Sequence, residues 1–312
     1  MSLLNPPDTL PEAMRFILRA LLANGGSMSE AEARRLVTPD GLTQPNAGRD
    51  DDAQEARGPA SIFKASLDAL RGLELVTQKL AGDRTIKIVQ RVSDRFKDWS
   101  ELTAKDFSDF LSNEIVFFPP QNAVDGVVKG GQDLSEAVSF VMFVRDPLNG
   151  FSTFDGGVGR KFQAVQFDEL GEDRARWVVG NTERYQSLRR WLTFIGVARI
   201  FKNGMIIEPS SRIEQHVLSI VDKETPIDKL LDRLGEVLPF TDRGTGGVMI
   251  KNRMETKFDG DVVSPGLAVG LEVLAAQGKV RLLDLDDAAS FSFLSSSESR
   301  TKYSHIAPAA TR

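Results

Sequence analysis

Three stretches of the chain carry apolar residues at helical spacing, and each stretch is followed by two short runs that favour β-strands. The predicted helices cover residues 61–70, 182–195 and 265–277. The predicted strand pairs are 73–78 with 85–89, 197–201 with 205–208, and 280–285 with 290–294. A glycine closes each helix, at Gly72, Gly196 and Gly278. We interpret each stretch as a helix followed by a β-hairpin.

Two further helices are predicted before the first of these units. The apolar face of the longer one consists of Met14, Ile17, Leu18, Leu21 and Leu22. A shorter helix covers residues 30–36. Three helices followed by a hairpin are the element order of a winged-helix module. Residues 38–58 are rich in proline, glycine and acidic residues, and we predict a flexible insertion there.

The turn of the second hairpin, Lys202-Asn203-Gly204, supports this interpretation. Asn-Gly between two apolar runs is a strong hairpin signal because both residues tolerate the positive φ of a type I′ turn. Because the helix and hairpin recur, the sequence predicts an α+β fold of tandem winged-helix domains. We expect domains at 1–95, 96–222 and 223–294, and a flexible tail at 295–312.

The overall composition excludes several classes of protein. The formal net charge of −5 over 312 residues argues against a uniformly basic nucleic-acid-binding chain, although one module can still carry a basic face. The chain has no cysteine, which favours the reducing cytoplasm and excludes thiolate metal sites. No apolar stretch approaches the roughly 20 residues that span a bilayer, and the first residues lack the pattern of a signal peptide. We expect a cytoplasmic protein without membrane contact and without a cofactor.

Basic residues on the predicted helices and hairpins are the candidates for contact with double-stranded DNA. In the first module they are Lys64, Arg71, Lys79, Arg84 and Lys87. In the second module, which has the more basic face, they are Arg184, Arg189, Arg190 and Lys202. Lysine and arginine can bind phosphates, and arginine can also read guanine edges. The alternative interpretation is an ordinary solvated surface.

A metal-dependent nuclease is another alternative. Asp242, Glu255 and Lys257 have the residue types with which PD-(D/E)XK nucleases hold Mg²⁺ and orient a water molecule. The glycine run at 156–159 lacks the spacing of a phosphate loop. Neither histidine has a neighbour at the spacing of a zinc site or of a nucleophilic triad. We therefore expect a non-enzymatic protein, without a metal site, that binds or scaffolds other molecules.

The amino-terminal residues carry a resemblance to a known family. Leu3-Leu4-Asn5, followed by Leu10-Pro11 and a leucine-rich helix, together with the winged-helix organisation, resembles the DpdG-type proteins. These are accessory components of bacterial gene clusters that install 7-deazaguanine bases in DNA and restrict unmodified DNA. The resemblance implies a non-enzymatic member of a DNA modification–restriction or phage-defence assembly, and it carries no functional residues over to this chain.

The function expected from the sequence is therefore a DNA-binding subunit, an adaptor, or both, within such an assembly. The alternatives are a purely structural scaffold or dimerisation subunit, and the nuclease. The third module carries Asp284, Asp286 and Asp287 beside few cations and is typical of a protein-contact surface. The expected partners are double-stranded DNA, other subunits of the assembly and a second copy of the chain.

Overall fold

The computed structural model describes residues 2–5, 8–37, 59–78, 84–116, 131–202, 204–256, 258–294 and 301–309. The chain divides into two compact units, Met1–Leu134 and Ser135–Arg312, and each is described by itself. The predicted insertion at 38–58 lies outside the described residues. The predicted division into three domains, 1–95, 96–222 and 223–294, stays a prediction.

The first unit combines helices with a small antiparallel sheet. Its helices are α1 (Pro11–Ala23), α2 (Glu30–Val37), α3 (Pro59–Gly72), α4 (Gln90–Arg95) and α5 (Ala104–Phe110), and α5 continues as a π-helical segment, Leu111–Val116. Its strands are β1 (Ser27–Ser29), β2 (Val76–Gln78) and β3 (Thr85–Ile88), in the order β1-β3-β2. Helix α1 packs on α3. The core between them and the sheet includes Ile17, Leu18, Leu67, Leu70 and Ile86.

The amino-terminal segment of the first unit is held by one carboxylate. The main-chain N–H of Leu3 donates to Asp133 Oδ1 over 3.0 Å, and that of Leu4 donates to Oδ2 over 2.9 Å. The side chains of Leu3 and Leu4 are both buried. The leucine pair that carries the family resemblance is therefore part of the core, which gives it a structural role.

The second unit combines helices with three small sheets among its described residues. Its helices are α6 (Gln132–Phe143), which begins just before the division, α7 (Phe162–Leu170), α8 (Thr182–Phe194), α9 (Ser210–Ile220), α10 (Ile227–Val237), α11 (Thr245–Arg253) and α12 (Pro265–Ala276). A short 3₁₀ turn covers Arg174–Arg176. In the described part of the chain, no helix is long and apolar enough to cross a membrane.

The strands of the second unit pair within three separate sheets. They are β4 (Phe151–Thr153), β5 (Arg160–Lys161), β6 (Ala198–Phe201), β7 (Gly204–Ile207), β8 (Thr225–Pro226), β9 (Val262–Val263), β10 (Val280–Leu283), β11 (Phe291–Phe293), β12 (Thr301–Tyr303) and β13 (His305–Pro308). The sheet orders are β5-β4-β7-β6, β10-β13-β8 and β12-β11-β9. Only β4–β5 and β9–β11 are parallel among these described pairs. The fold is α+β with small sheets, as the sequence predicts.

The connection from helix to strand has the same geometry in all three helix–strand units. The main-chain N–H of Leu75 donates to the carbonyl of Leu70 over 2.8 Å. The equivalent bonds run from Val197 to Leu192 and from Lys279 to Leu274, over 2.9 and 3.0 Å. This 6→1 hydrogen bond is the mark of a Schellman motif, which requires a left-handed residue just before the donor. We call this connection the Schellman joint.

The residue in the left-handed position of each Schellman joint corrects one prediction. Gly196 and Gly278 have φ of +76° and +69°, as expected for glycines that end helices. In the first unit, however, α3 extends to Gly72, and Glu74 takes the left-handed position with a φ of +56°. The predicted equivalence of Gly72 with the other two glycines is therefore wrong by two residues. The hydrogen bond of Leu75 holds Glu74 in this conformation despite its Cβ.

The structure confirms two of the predicted hairpins and contradicts the third. Strand β2 pairs antiparallel with β3, and β6 pairs antiparallel with β7. In the third helix–strand unit, β10 pairs with β13, whereas β11 pairs with β9 and β12 in another sheet. All three residues of β11 are buried, because the strand lies between two neighbours rather than at the edge of a hairpin.

The predicted flexible tail is wrong for residues 301–309. Strands β12 and β13 lie there, and β13 is the central strand between β10 and β8. Ile306 and Ala307 of β13 are buried, so this strand contributes to the core of the second unit. Residues 295–300 lie outside the described part of the chain.

Replacing Gly278 with alanine is expected to lower the free energy of unfolding by about 1 kcal/mol. Its φ of +69° is unfavourable for any residue with a Cβ, while an added Cβ would meet no atom within 4 Å. The loss therefore reports backbone strain alone, and urea unfolding of the full chain measures it. Gly180→Ala is the matched control, since its Cβ also meets open space without a left-handed φ. An equal effect of both substitutions would contradict the strain at the Schellman joint.

Candidate nucleic-acid interface

The second helix–hairpin unit begins with a well-defined helix cap. The side-chain Oδ1 of Asn181 accepts a hydrogen bond from the main-chain N–H of Arg184 over 2.9 Å. This bond satisfies one of the free donors at the start of α8. The buried face of the helix consists of Tyr185, Ser187, Leu188, Trp191 and Leu192. The opposite face of α8 is thereby presented outward at a fixed position.

Tyr185 anchors α8 to the sheet of the same unit. Its hydroxyl donates to the carbonyl of Phe151 on β4 over 3.0 Å, and its ring centroid lies 5.2 Å from that of Phe162. Burial raises the pKa of Tyr185 to about 12, so the hydroxyl stays protonated and remains a donor. Tyr185 therefore connects α8 to the sheet that contains the β6–β7 hairpin.

The three arginines of α8 lie at different angles around the helix. Arg190 is exposed, while Arg184 and Arg189 are half-buried. The guanidinium carbon of Arg189 lies 5.9 Å from the centre of the Tyr185 ring, on the flank of the helix. Successive helical residues differ by about 100°, so neighbouring Arg189 and Arg190 diverge. The structure does not gather these three predicted residues on one face, and Arg190 is the one that faces outward.

The β6–β7 hairpin places the fourth predicted residue of this module at its tip. Lys202 is exposed and has a φ of +51°, although the sequence predicts positive φ values for Asn203 and Gly204. Gly204 pairs with Phe201 as the first residue of β7 and has no positive φ, so the predicted position of the turn is wrong by one residue. Its Nζ lies 5.5 Å from the centre of the Phe201 ring. Asn203 lies outside the described residues. The tip of this hairpin therefore presents one cation beside an exposed aromatic ring.

In the first module, acidic neighbours offset part of the predicted basic face. Arg71 Nη1 lies 2.7 Å from Asp68 Oδ1, and Arg84 Nη1 lies 3.9 Å from Glu30 Oε2. Such pairs lower the local positive potential that would attract a phosphate backbone. Lys64 on α3 and Lys87 on β3 are exposed. The remaining predicted residue, Lys79, lies outside the described part of the chain.

Asp242, the first residue of the predicted nuclease site, has a structural role instead. Asp242 is buried, and its two carboxylate oxygens accept hydrogen bonds from the main-chain N–H and the hydroxyl of Ser264, over 2.8 and 2.6 Å. Burial raises the pKa of Asp242. Asp242 therefore fixes the start of α12, where Ser264 is the first flanking residue.

The nuclease hypothesis requires Glu255 to lie on a strand, and it does not. It follows the end of α11 in a bend, and its Oε1 lies 2.6 Å from Arg176 Nη1. Lys257 is outside the described residues, and no group of three or more potential metal-ligating His, Asp or Glu side chains occurs within them. The structure contradicts the nuclease hypothesis at Glu255.

Long-range arginine–glutamate pairs are a feature that sequence reasoning missed. Three ion pairs stabilise the second unit: Arg145 with Glu169, Arg176 with Glu255, and Arg253 with Glu136. Their partners are separated by 24 to 117 residues, so no local pattern indicates them. Arg160 is also buried in part, which lowers its pKa, and it donates to the carbonyls of Asp146 and Asn149. The guanidinium groups of these four arginines therefore make contacts within the second unit.

The described structure thus defines an α+β protein of small sheets and helix–hairpin units. A comparison with family models shows that the chain belongs to the DpdG-like family, whose model matches residues 1–288 of the 312. The match confirms the resemblance that the amino-terminal residues suggest. Membership implies involvement in the Dpd 7-deazaguanine modification system. Comparisons with curated proteins and with solved structures found no match.

Proposed function

We propose that this chain is a non-enzymatic, DNA-binding subunit of a bacterial 7-deazaguanine modification and restriction assembly, and that it acts in the cytoplasm. Its family membership connects it to a system that modifies DNA. The observation that carries the DNA contact is the second helix–hairpin unit, where Arg190 on the outer face of α8 and Lys202 at the hairpin tip are both exposed. Cations on a helix and an adjoining hairpin suit contact with phosphates on either side of a groove.

We further propose that the helix–hairpin units are winged-helix modules. In the first unit the order is α1, β1, α2, α3, β2 and β3, and the strand between the first two helices pairs with the hairpin. Helix α8 with β6 and β7 repeats the last helix and the hairpin of this arrangement. The shared Schellman joint supports the equivalence of the two units.

The Arg190→Ala, Lys202→Ala double variant is expected to weaken binding to a labelled duplex about tenfold. It should also reduce the slope of log affinity against log salt by about two, because each phosphate contact releases roughly one counterion. Fluorescence anisotropy of the full chain at several salt concentrations measures both values. Arg189 is left in place because it packs against Tyr185.

The matched control is the Lys229→Ala, Arg233→Ala double variant. Both residues are exposed on α10 in the same unit, so the control removes the same charge from a different surface. It should bind DNA like the wild type. Equal losses in both variants would show unspecific attraction and overturn the assignment to the second module. Absence of any salt-dependent binding would overturn the DNA contact altogether.

A purely structural scaffold is the second candidate function. The exposed apolar side chains of Ile200 and Phe201 on the same hairpin favour it, because such side chains mark protein contacts more often than phosphate contacts. In the anisotropy experiment a scaffold would bind no duplex at any salt concentration. The other subunits of the assembly would then be its partners.

A further inference from the structure

Strand β6 is the edge of its sheet among the described residues. The order β5-β4-β7-β6 leaves one side of β6 without a neighbouring strand. Phe201 faces Gly204 across the two-residue turn, and the N–H of Glu208 donates to the carbonyl of Val197 over 3.0 Å. These pairs define the alternation of the antiparallel ladder, in which every second residue bonds to β7. The N–H and C=O of Ala198 and Ile200 therefore point away from β7.

The other side of the hairpin confirms this alternation. The N–H of Ile207, which faces Ala198 across the ladder, donates to the carbonyl of Pro147 on the side away from β6. No hydrogen bond from the described residues reaches the main chain of Ile200. An edge strand with free main-chain groups is a template for pairing with another strand.

The side chains along this edge are apolar where a partner strand would lie. Ile200 is 47% exposed and Phe201 is 60% exposed. Natural edge strands usually carry lysine, proline or a bulge that blocks such pairing. On β6 the one cation, Arg199, is already neutralised by an ion pair with Glu208. The edge therefore has the features of an interface rather than of a protected edge.

The sequence of β6 is complementary to itself in one antiparallel register. If a two-fold axis passes through Ile200, this residue faces its own copy, and its outward N–H and C=O groups exchange two hydrogen bonds. Arg199 then faces Phe201 of the second copy, twice, so no two like charges are opposite each other. Arginine over an aromatic ring is a favourable cross-strand pair, and isoleucine against isoleucine is another. An isologous contact of this kind closes as a dimer.

We propose that a second copy of this chain docks on β6, so that the two β5-β4-β7-β6 sheets join into one continuous sheet with Ile200 at the two-fold axis. The neutralised charge of Arg199 and the apolar neighbours disfavour DNA as the occupant of this edge. The proposal does not rest on the DNA contact, since it uses the main-chain groups of Ala198 and Ile200 and not the side chains of Arg190 or Lys202. The experiment is therefore carried out without DNA.

Sedimentation equilibrium of the full chain, at about 1 to 100 μM, tests the dimer. The wild type should dimerise within this range. The I200D and I200K variants should each raise the dissociation constant about tenfold or more, because like charges would face each other at the axis. An equimolar mixture of I200D and I200K should restore the dimer, since opposite charges then meet. Far-UV circular dichroism checks that each variant is folded.

The control is L218D, which introduces the same charge at another exposed apolar side chain of the same unit, 44% exposed on α9. It should dimerise like the wild type. A wild type that stays monomeric over the whole range would overturn the proposal. The proposal would also be overturned if I200D left the dimer intact, if L218D disrupted the dimer equally, or if the mixture failed to restore it.

Discussion

Replacing Asp242 with alanine is expected to lower the free energy of unfolding by about 2–4 kcal/mol. The carboxylate accepts hydrogen bonds from both the N–H and the hydroxyl of Ser264, which is itself fully buried. Without Asp242 these two donors would be buried with no acceptor, and α12 would lose the group that fixes its start. Urea unfolding at neutral pH, followed by circular dichroism, measures the loss.

Asp242→Asn is the matched variant, because the amide keeps the shape and can bond to both groups of Ser264 once the hydroxyl turns. It is expected to be much more stable than Asp242→Ala at neutral pH. The two variants separate loss of hydrogen bonds from loss of charge. Equal stability of the two would contradict the capping role of Asp242.

The same pair of residues gives a pH dependence with a definite sign. Burial raises the pKa of Asp242, so the folded state binds the proton more tightly than the unfolded state does. The stability that this group contributes is fully present below its ordinary pKa and is lost as the pH rises through the raised value. The wild type should therefore gain stability relative to Asp242→Asn as the pH falls. A difference that does not change with pH would contradict the raised pKa.

Replacing Gly247 with alanine is expected to cost about 3 kcal/mol or more. A Cβ on this residue would lie 1.9 Å from the carbonyl oxygen of Thr241. That carbonyl cannot move freely, because Thr241 bonds to Leu238 through its main chain and its hydroxyl, at 3.0 and 2.8 Å. The N–H of Gly247 also donates to Pro239. The shift in the urea midpoint of the full chain measures the cost.

Gly260→Ala is the control for this steric prediction. Gly260 lies in the same unit, and a Cβ there would meet no atom within 4 Å. Its substitution should change the midpoint little. If the Gly247 and Gly260 variants unfolded alike, the close approach of α11 to the segment before it would be wrong.

Features that depend on neighbouring residues could be predicted from the sequence. The Asn-Gly signal predicts the position of its hairpin to within one residue, and the apolar spacing of α8 predicts its buried face. Gly196 and Gly278 end their helices because the connection to the strand requires a positive φ at these positions. This requirement depends only on the neighbouring backbone. Glu74 escaped prediction because a hydrogen bond, rather than residue type, holds its left-handed conformation.

Features that depend on distant partners could not be predicted. Strand β10 pairs with β13 rather than with the next strand along the chain. No local sequence pattern indicates that Val280 pairs with Pro308. Helix α7 has no clean apolar face that a sequence pattern could show, because its buried residues include Gln166 and Glu169 beside apolar ones. In the candidate interface, the acid that offsets Arg71 is Asp68 on the same helix. The acid that offsets Arg84 is Glu30, which lies on a helix distant in sequence.

The constant length of the Schellman joint restricts where relatives of this chain can differ in length. In each of the three helix–strand units, the strand begins six positions after the leucine whose carbonyl accepts the 6→1 bond, at Val76, Ala198 and Val280. Inserting or deleting one residue within that interval would turn the buried side chains of the strand toward solvent. Insertions and deletions in the family should therefore fall beyond the strands, in the turns, and spare these three short intervals.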